Sequence, residues 1–266
     1  MKQIRMLVLI LWACSVSVAW GQQPVSKCIN NWSEFHRTNM KRYNPCEKVL
    51  NVKNVGSLHK KWSYKTGYYV SSSAAVANGV VYVGSDDYNV YALKASTGAK
   101  LWSYATSYFV YSSPAVADGV VYVGQGVPGG PGNVSALNAS TGTLLWSYST
   151  AGPVYSSPAF ANGVVYVGDD WYDDRVYALN ASTGALLWSY NTYSAVTSSP
   201  AVANGVVYVG SGDGNVYALN ASTGALLWSY TTGGAVNSSP AVANGVVYVG
   251  SEDDKVYAFG LKKDRE

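Results

Sequence analysis

Hydrophobic and polar residues alternate in short runs over most of the chain, and the same runs recur at regular spacing. The clearest unit reads Ser-Ser-Pro-Ala-Val-Ala-Asn-Gly-Val-Val-Tyr-Val-Gly at 198–210, Asn-Val-Tyr-Ala-Leu at 215–219 and Leu-Leu-Trp-Ser-Tyr at 226–230. Runs of four to six residues that are rich in valine and tyrosine and bounded by Gly, Asn and Ser predict β-strands. Each unit therefore predicts four strands, named A, B, C and D in chain order.

The turn residues indicate how these strands connect. An Asn-Gly or Asp-Gly pair separates strands A and B in every unit: Asn78-Gly79, Asp118-Gly119, Asn162-Gly163, Asn204-Gly205 and Asn244-Gly245. Such a pair supplies the two positive-φ residues of a type I′ hairpin. An Asn-Ala-Ser-Thr-Gly turn then leads from strand C to strand D, and its glycine suits another positive-φ position. Each unit is therefore predicted to be an antiparallel four-stranded sheet.

Five tryptophans mark the repeat: Trp62, Trp102, Trp146, Trp188 and Trp228, at intervals of 40, 44, 42 and 40 residues. A period near 40 with four short strands per unit is typical of propeller blades. The predicted fold is all-β, a single β-propeller of five four-stranded blades. The last unit contains strands A to C only, whereas a D-like strand at 59–64 precedes the first unit. Pairing this N-terminal strand with strand C of the last blade would close the ring and cover an open sheet edge.

The N-terminus predicts export. Residues 1–21 contain the basic Lys2 and Arg5, an apolar run at 6–13 and a small-x-small site at 19–21, which is the pattern of a signal peptide. The apolar run is too short to be a transmembrane helix, and no later segment is long enough. We expect a secreted, periplasmic or cell-envelope protein. The alternative is a lipoprotein anchored through Cys14.

The predicted domains after cleavage are an N-terminal arm at 22–55, the propeller at 56–260 and a charged tail at 261–266. Because exported chains mature in an oxidising compartment, Cys28 and Cys46 predict a disulfide within the arm, and two free thiols are the alternative. Residues 22–65 carry nine Lys/Arg against two Glu, whereas residues 66–255 carry eleven acids against four bases. The arm is expected to pack on the acidic body. No dense basic cluster is present, so nucleic acid is not an expected partner.

Variation among the units is confined to one end of the blades. The A–B and C–D turns are nearly identical copies, whereas the B–C and D–A loops all differ. The positions at the entrance of the innermost strand A line the predicted channel mouth: Ser71, Tyr111, Tyr155, Thr197 and Asn237. Loops on a rigid scaffold frequently carry function, so these residues predict a site for a protein or for a polar or carbohydrate ligand. Drift in unpacked loops and polar filling of a narrow channel are the alternatives.

Few residues suggest chemistry. Four carboxylates in one B–C loop are candidate Ca²⁺ ligands: Asp169, Asp170, Asp173 and Asp174. The alternative is a solvated acidic loop. His36 and His59 are the only histidines, and both precede the blades. No Ser/His/Asp or Cys/His arrangement is indicated, so no catalytic residue is predicted.

Segments at 136–146, 178–188 and 218–228 resemble the tryptophan-docking motif of the pyrroloquinoline quinone (PQQ) repeat β-propellers. That family includes the quinoprotein alcohol dehydrogenases and an outer-membrane assembly lipoprotein. The resemblance covers about residues 56–260 and implies that the five repeat tryptophans pack between blades. It also implies PQQ and Ca²⁺ as cofactors of the quinone-using members, which often have two adjacent cysteines and usually eight blades. This chain has neither adjacent cysteines nor eight repeats.

The leading expectation is a non-catalytic binding or scaffold propeller that uses its variable loops. One alternative is a small PQQ-dependent oxidoreductase or a quinone-binding remnant of one. The other is a structural protein of cell-envelope assembly. Whether the chain is a truncated form of a larger propeller stays open at this point.

Overall fold

The computed structural model describes residues 48–261, in which a short 3-10 helix, Val55–Ser57, precedes nineteen strands. The predicted signal peptide, Cys14, and the predicted Cys28–Cys46 disulfide lie outside the described residues. Within residues 48–261 no helix is long and apolar enough to cross a membrane. The prediction of an all-β chain is confirmed.

The strands form five antiparallel sheets, called blades 1 to 5 in chain order. Blade 1 contains β1 (Ala75–Ala77), β2 (Val80–Ser85), β3 (Asn89–Lys94) and β4 (Lys100–Ala105). Blade 2 contains β5 (Ala115–Ala117), β6 (Val120–Gly126), β7 (Gly132–Asn138) and β8 (Leu144–Thr150). Blade 3 contains β9 (Ala159–Ala161), β10 (Val164–Gly168), β11 (Arg175–Asn180) and β12 (Leu186–Asn191). Blade 4 contains β13 (Ala201–Ala203), β14 (Val206–Gly210), β15 (Asn215–Asn220) and β16 (Leu226–Thr231). Blade 5 contains β17 (Ala241–Ala243), β18 (Val246–Ser251) and β19 (Lys255–Gly260).

The hairpins within each blade have the predicted turns. In blade 1, Ala77 pairs with Val80 across Asn78 and Gly79, whose φ angles are 50° and 77°. The other four A–B turns repeat these positive φ values, as a type I′ hairpin requires. In the C–D turn of blade 4 the Asn220 side chain accepts hydrogen bonds from the amides of Ser222 and Thr223 at 2.9 and 3.1 Å. These bonds are local to each blade, so the turn residues fix the strand register without contacts from a neighbouring blade.

The repeat tryptophans lie between successive blades. Trp102 in β4 donates its indole N–H to the carbonyl of Ala139 in the C–D turn of blade 2, at 2.9 Å. Its ring covers Gly142, where an added Cβ would be 2.6 Å from the ring. Trp146 and Trp188 make the same contacts with blades 3 and 4. A glycine is therefore needed in this turn both for its positive φ and for the close approach of the indole.

The inner strands are linked by the Ser-Ser doublet. The first serine of the doublet bonds to a glycine of strand B in its own blade, as Ser156 does with Gly168 at 2.7 and 2.8 Å. The second serine accepts a hydrogen bond from the preceding blade, as Ser157 Oγ does from the amide of Ser113 at 3.0 Å. The same bond recurs at every junction from blade 1 to blade 5. The doublet thus joins strands within a blade and also joins blade to blade.

The hydrophobic core lies between the blades, where a valine of one blade fills the space above a glycine of the blade before it. Val110 is fully buried over Gly84, where an added Cβ would be 2.4 Å from the valine. Three further pairs repeat this packing: Val154 over Gly124, Val196 over Gly168 and Val236 over Gly210. Apolar residues of neighbouring blades complete each core. The blades therefore meet through one repeated type of interface.

Blade 5 differs from the others in its surroundings. Val256 in β19 is 80% exposed, whereas its equivalents Val90, Val134, Val176 and Val216 are 0% exposed. Trp228, which faces blade 5, is 37% exposed, whereas the three preceding tryptophans are each 8% exposed. A groove of about 810 Å³ between blades 4 and 5 is lined by Trp228, Phe259 and Leu261, among others. The described residues give blade 5 three strands instead of the predicted four.

Residues 59–64 contact blade 1. Trp62 donates its indole N–H to the carbonyl of Ala95 at 2.9 Å, and the ring of Tyr64 lies 5.5 Å from that of Tyr91. These residues form no strand, and within residues 48–261 β19 pairs with β18 alone. The closure of the ring by this segment therefore stays a prediction.

Candidate binding surface at the variable loops

The B–C and D–A loops lie together at one end of the blades because the strands alternate in direction. We call this end the variable face and define it as residues 65–74, 86–88, 106–114, 127–131, 151–158, 169–174, 192–200, 211–214, 232–240 and 252–254. The A–B and C–D turns lie at the opposite end. All five predicted mouth residues belong to the variable face.

The structure brings most of the mouth residues together in pairs across blades. The rings of Tyr111 and Tyr155 meet edge to face with their centroids 5.3 Å apart. Thr197 Oγ1 donates to Asn237 Oδ1 at 3.0 Å. Ser71 instead donates to Asp86 Oδ2 of its own blade, at 2.9 Å. The predicted mouth positions are thus aromatic on blades 2 and 3 and carry hydroxyl and amide groups on blades 4 and 5.

The aromatic part of the mouth continues into a row of rings that the sequence did not reveal. Tyr88 lies 4.7 Å from Phe109 between ring centroids, and Phe109 lies 5.4 Å from Tyr111. With Tyr155 this row crosses blades 1, 2 and 3. Tyr88 is in a B–C loop and Phe109 in a D–A loop, so only the packing of two blades places them side by side. Aromatic rings at such distances attract one another beyond the area that they bury.

Carboxylates occupy matching positions of three B–C loops: Asp86, Asp170 and Glu252. Asp86 and Asp170 lie near this row, whereas Glu252 accepts a hydrogen bond from Asn237 on blade 5. Burial, and next the Asp86 carboxylate, raise the pKa of Tyr111 above its usual value. Burial, and next Asp170, raise the pKa of Tyr155 to about 12. Both hydroxyls are therefore protonated at neutral pH and are able to donate to a ligand. The mouth combines aromatic faces, hydroxyl donors and negative charge.

Two of the four candidate metal ligands, Asp169 and Asp173, have hydrogen-bond partners within the protein. Asp169 is fully buried and accepts hydrogen bonds from the amides of Arg175 and Gly152 and from the Tyr177 hydroxyl, at 2.8, 3.3 and 3.1 Å. Asp173 forms an ion pair with Arg175 at 2.9 Å and accepts a hydrogen bond from Tyr177. Burial raises the pKa of Asp170 and of Asp174. Among residues 48–261 no group of three or more His, Cys, Asp or Glu is placed to hold a metal.

Aspartate–tyrosine pairs like Asp173–Tyr177 recur in other blades. Asp87 accepts from Tyr91 at 2.7 Å, and Asp213 and Asp253 accept from Tyr217 and Tyr257 at 2.5 Å. In each pair the two residues are four apart and close the B–C loop onto strand C. The repeated contact indicates that Asp173 stabilises its loop.

PQQ and Ca²⁺ are the cofactors implied by the resemblance, and the described residues do not fit them. Ca²⁺ takes six to eight oxygen ligands in proteins, and residues 48–261 contain no group of three or more His, Cys, Asp or Glu placed to hold a metal ion. Asp86, Asp170 and Glu252 come from three different blades, and Asp86 and Glu252 already accept hydrogen bonds from Ser71 and Asn237. No chemical step is therefore derived through a quinone.

Solved structures with the same fold include a BamB protein and quinohemoprotein alcohol dehydrogenases. BamB from Moraxella catarrhalis is 21% identical over 71% of this chain and 60% of that chain, with a TM-score of 0.62. Quinohemoprotein alcohol dehydrogenase ADHIIG from Pseudomonas putida HK5 is 24% identical over 87% of this chain and 48% of that chain, with a TM-score of 0.71. The corresponding enzyme from Comamonas testosteroni is 18% identical over 88% and 49%, with a TM-score of 0.69. This chain thus spans 60% or less of the length of each.

Comparison with curated protein sequences gave no match. A family model described as outer membrane protein assembly factor BamB matches residues 37–126, 125–199 and 172–265. These matches cover most of the chain and every blade of the structure. The protein therefore belongs to the PQQ-repeat family of β-propeller proteins.

Proposed function

We propose that this protein is an exported, non-catalytic binding or scaffold propeller that holds a partner at its variable face. The observation that carries this proposal is the exposure of aromatic side chains there. Six strongly exposed aromatic residues belong to its loops: Tyr68, Tyr69, Tyr88, Trp171, Tyr172 and Tyr193, at 42–83%. Three more exposed aromatic residues among positions 48–261 lie in blades 4 and 5: Trp228, Tyr230 and Tyr248.

The chemistry of these side chains suits recognition. Tyrosine and tryptophan supply large contact areas together with a polar tip, and they are enriched where binding energy is concentrated. The row from Tyr88 to Tyr155 is held on three packed blades, so its side chains lose little conformational entropy when a partner binds. Asp86 and Asp170 near this row, and Glu252 on blade 5, favour a partner with a basic or hydroxyl-rich surface, such as a protein segment or a carbohydrate.

The partner at the variable face is proposed to be a component of cell-envelope assembly. The matching family model and the Moraxella catarrhalis structure are both named as BamB, which the model describes as an outer membrane protein assembly factor. Export by the predicted signal peptide would bring this protein to the same side of the cytoplasmic membrane.

The experiment is site-specific photo-crosslinking in cells that make the protein. A photoreactive amino acid replaces Tyr193, which is 83% exposed on the variable face. The matched control replaces Thr223, which is exposed in a C–D turn at the opposite end. We expect a crosslinked species from position 193 only. Equal products from both positions, or none from position 193, would contradict the proposal.

A quinone-dependent oxidoreductase is the second candidate, and the alcohol dehydrogenases among the structural matches favour it. Isothermal titration with PQQ in the presence of Ca²⁺, followed by a dye-linked alcohol oxidation assay, separates the two candidates. Stoichiometric binding with turnover would replace the scaffold proposal with the enzyme. Absence of binding is the result that the scaffold proposal predicts.

We also propose that the fourth strand of blade 5 is a segment with the sequence of residues 59–64. This segment has the Trp-Ser-Tyr sequence of the four D strands, and its Trp62 and Tyr64 contact blade 1 as those strands contact the next blade. An unpaired β19 edge would otherwise present free backbone groups.

A further inference from the structure

The free sides of blade 1 and blade 5 carry the two complementary halves of the interface that joins each pair of successive blades. At each internal junction a buried valine of the later blade fills the space above a glycine of the earlier one. At the free ends the corresponding residues are Val70 of blade 1, which is 49% exposed, and Gly250 of blade 5, above which no atom lies closer than 3.6 Å to an added Cβ. A valine and its receiving space are therefore both available, at opposite ends of one chain.

Two further contacts that recur at the junctions are also missing at the free side of blade 5. The serine series runs from Ser73 of blade 1 to Ser239 of blade 5, and among residues 48–261 no hydrogen bond joins Ser239 back to Ser73. Val256 is 80% exposed where its equivalents are buried against a following blade. The serine hydrogen bond and the covering of Val256 are both contacts that the free side of blade 1 is able to supply.

Residues 59–64 extend this complementarity to the sheet edge. In blade 4, Ala218 of strand C pairs with Trp228 of strand D, and Asn215 pairs with Thr231. The same register would place Trp62 opposite Ala258 and Lys65 opposite Lys255. Because Trp62 and Tyr64 are already held on blade 1, whichever molecule donates this strand brings its blade 1 along to cover Val256.

We propose that blade 5 is completed by residues 59–64 and blade 1 of a second copy of this chain, in a head-to-tail contact. In one copy the segment is held on blade 1 and yet forms no pair with β19, and both ends stay exposed. Joining them within one chain requires a change in the repeated junctions between blades, which are tightly packed at every glycine–valine pair. A second copy forms the same interface without altering those junctions. Such a contact is heterologous, because two different surfaces meet.

Crosslinking between two single variants tests this contact. One full-length variant carries Lys65→Cys and the other carries Lys255→Cys; both lysines are exposed, so neither change disturbs the core. The two proteins are refolded together and treated with a short bis-maleimide. We expect a covalent dimer from the mixture at least tenfold above that from either variant mixed with wild type. The double variant alone serves to detect pairing within one chain.

The crosslinked products distinguish pairing between two copies from pairing within one chain. A dimer from the mixed single variants supports exchange between copies. A crosslinked monomer from the double variant with no dimer from the mixture would overturn the proposal in favour of a ring closed within one chain. Absence of both products would overturn it as well, because residues 65 and 255 would then not lie side by side either within one chain or between copies.

A glycine substitution provides the matched control for the interface. Gly250→Ala places a methyl group in the space that Val70 of the second copy is proposed to fill, whereas a single copy has room for it. At the internal junctions an added Cβ would lie about 2.4 Å from the valine. We expect Gly250→Ala to abolish the crosslinked dimer while its circular dichroism spectrum at low concentration matches that of wild type. Unchanged dimer formation would contradict the proposed contact.

Discussion

A methyl group added at Gly168 is expected to disrupt the junction between blades 3 and 4. The added Cβ would lie 2.3 Å from Val196 Cγ1 and 2.5 Å from the Val196 carbonyl oxygen. A side-chain methyl is able to rotate away, but the carbonyl belongs to backbone that also bonds to Asp169. The two blades must therefore move apart, because a change in the Val196 rotamer does not remove the clash with its carbonyl oxygen.

The magnitude follows from overpacking in a closely packed core, which costs roughly 1–3 kcal/mol. Because the obstructing atom is backbone, we expect Gly168→Ala to lie at the upper end, about 3 kcal/mol. For a chain of this size that loss corresponds to a fall in Tm of roughly 6–12 °C. Gly250→Ala in blade 5 is the matched control, since its nearest neighbour is Ser238 Oγ at 3.6 Å. That change is expected to be neutral, or stabilising by up to about 1 kcal/mol.

The assay is urea unfolding followed by tryptophan fluorescence, with the protein dilute enough to be a single copy. The two variants differ by the same methyl group at equivalent positions of two blades. Their free energies of unfolding should therefore differ by about 3–4 kcal/mol. Equal effects of the two substitutions would refute the argument that blade 5 has no neighbour on that side.

Three further predictions use the same contacts. Trp188→Phe removes the hydrogen bond to the carbonyl of blade 4 and should cost about 1 kcal/mol more than Trp228→Phe in urea unfolding, because the Trp228 indole has no acceptor among the described residues. Burial raises the pKa of Asp169 to about 6, above its unfolded value of 3.8, so the carboxylate destabilises the fold increasingly as the pH rises through this range. The free energy of unfolding of wild type should therefore fall, relative to Asp169→Asn, by up to about 3 kcal/mol between about pH 4 and pH 7, and a difference that does not change with pH would contradict this. Intact mass of the exported protein should show loss of residues 1–21 and of two further hydrogens for a Cys28–Cys46 disulfide, whereas a lipid on Cys14 or two free thiols would contradict these predictions.

The sequence was sufficient to predict the strands and their turns because local chemistry determines them. The positive φ angles of Asn78 and Gly79 follow from an Asn-Gly pair between two alternating runs, whatever surrounds the hairpin. The regular spacing of Trp102 and its equivalents likewise indicated blades before any packing was known. These features repeat in each unit and depend on few distant contacts.

The contacts between blades were less accessible to sequence reasoning. The Ser-Ser doublet is conspicuous in every repeat, but its second serine acts on the blade before it, which no local pattern shows. Tyr88 and Phe109 are 21 positions apart and meet only through the packing of blades 1 and 2. The hydrogen bonds that the buried Asp169 carboxylate accepts from the Arg175 amide and the Tyr177 hydroxyl likewise depend on how its loop folds onto strand C.

The last blade illustrates the same difficulty in another way. Val256 and Gly250 are the same residue types as their equivalents in the other blades, so the sequence alone does not distinguish their surroundings. Their exposure depends on which blade lies beside them. A repeat sequence specifies the shape of an interface but does not identify the molecule that provides its other half.

Hydrogen–deuterium exchange at two protein concentrations tests most directly whether the free ends meet between copies. The peptides to follow are those that contain residues 59–64 and β19 (Lys255–Gly260), with β15 (Asn215–Asn220) as an internal reference. We predict that both terminal peptides are protected at high concentration and lose that protection together on dilution, while β15 stays protected throughout. Protection of the terminal peptides that does not change on dilution, or its absence at every concentration, would contradict the account.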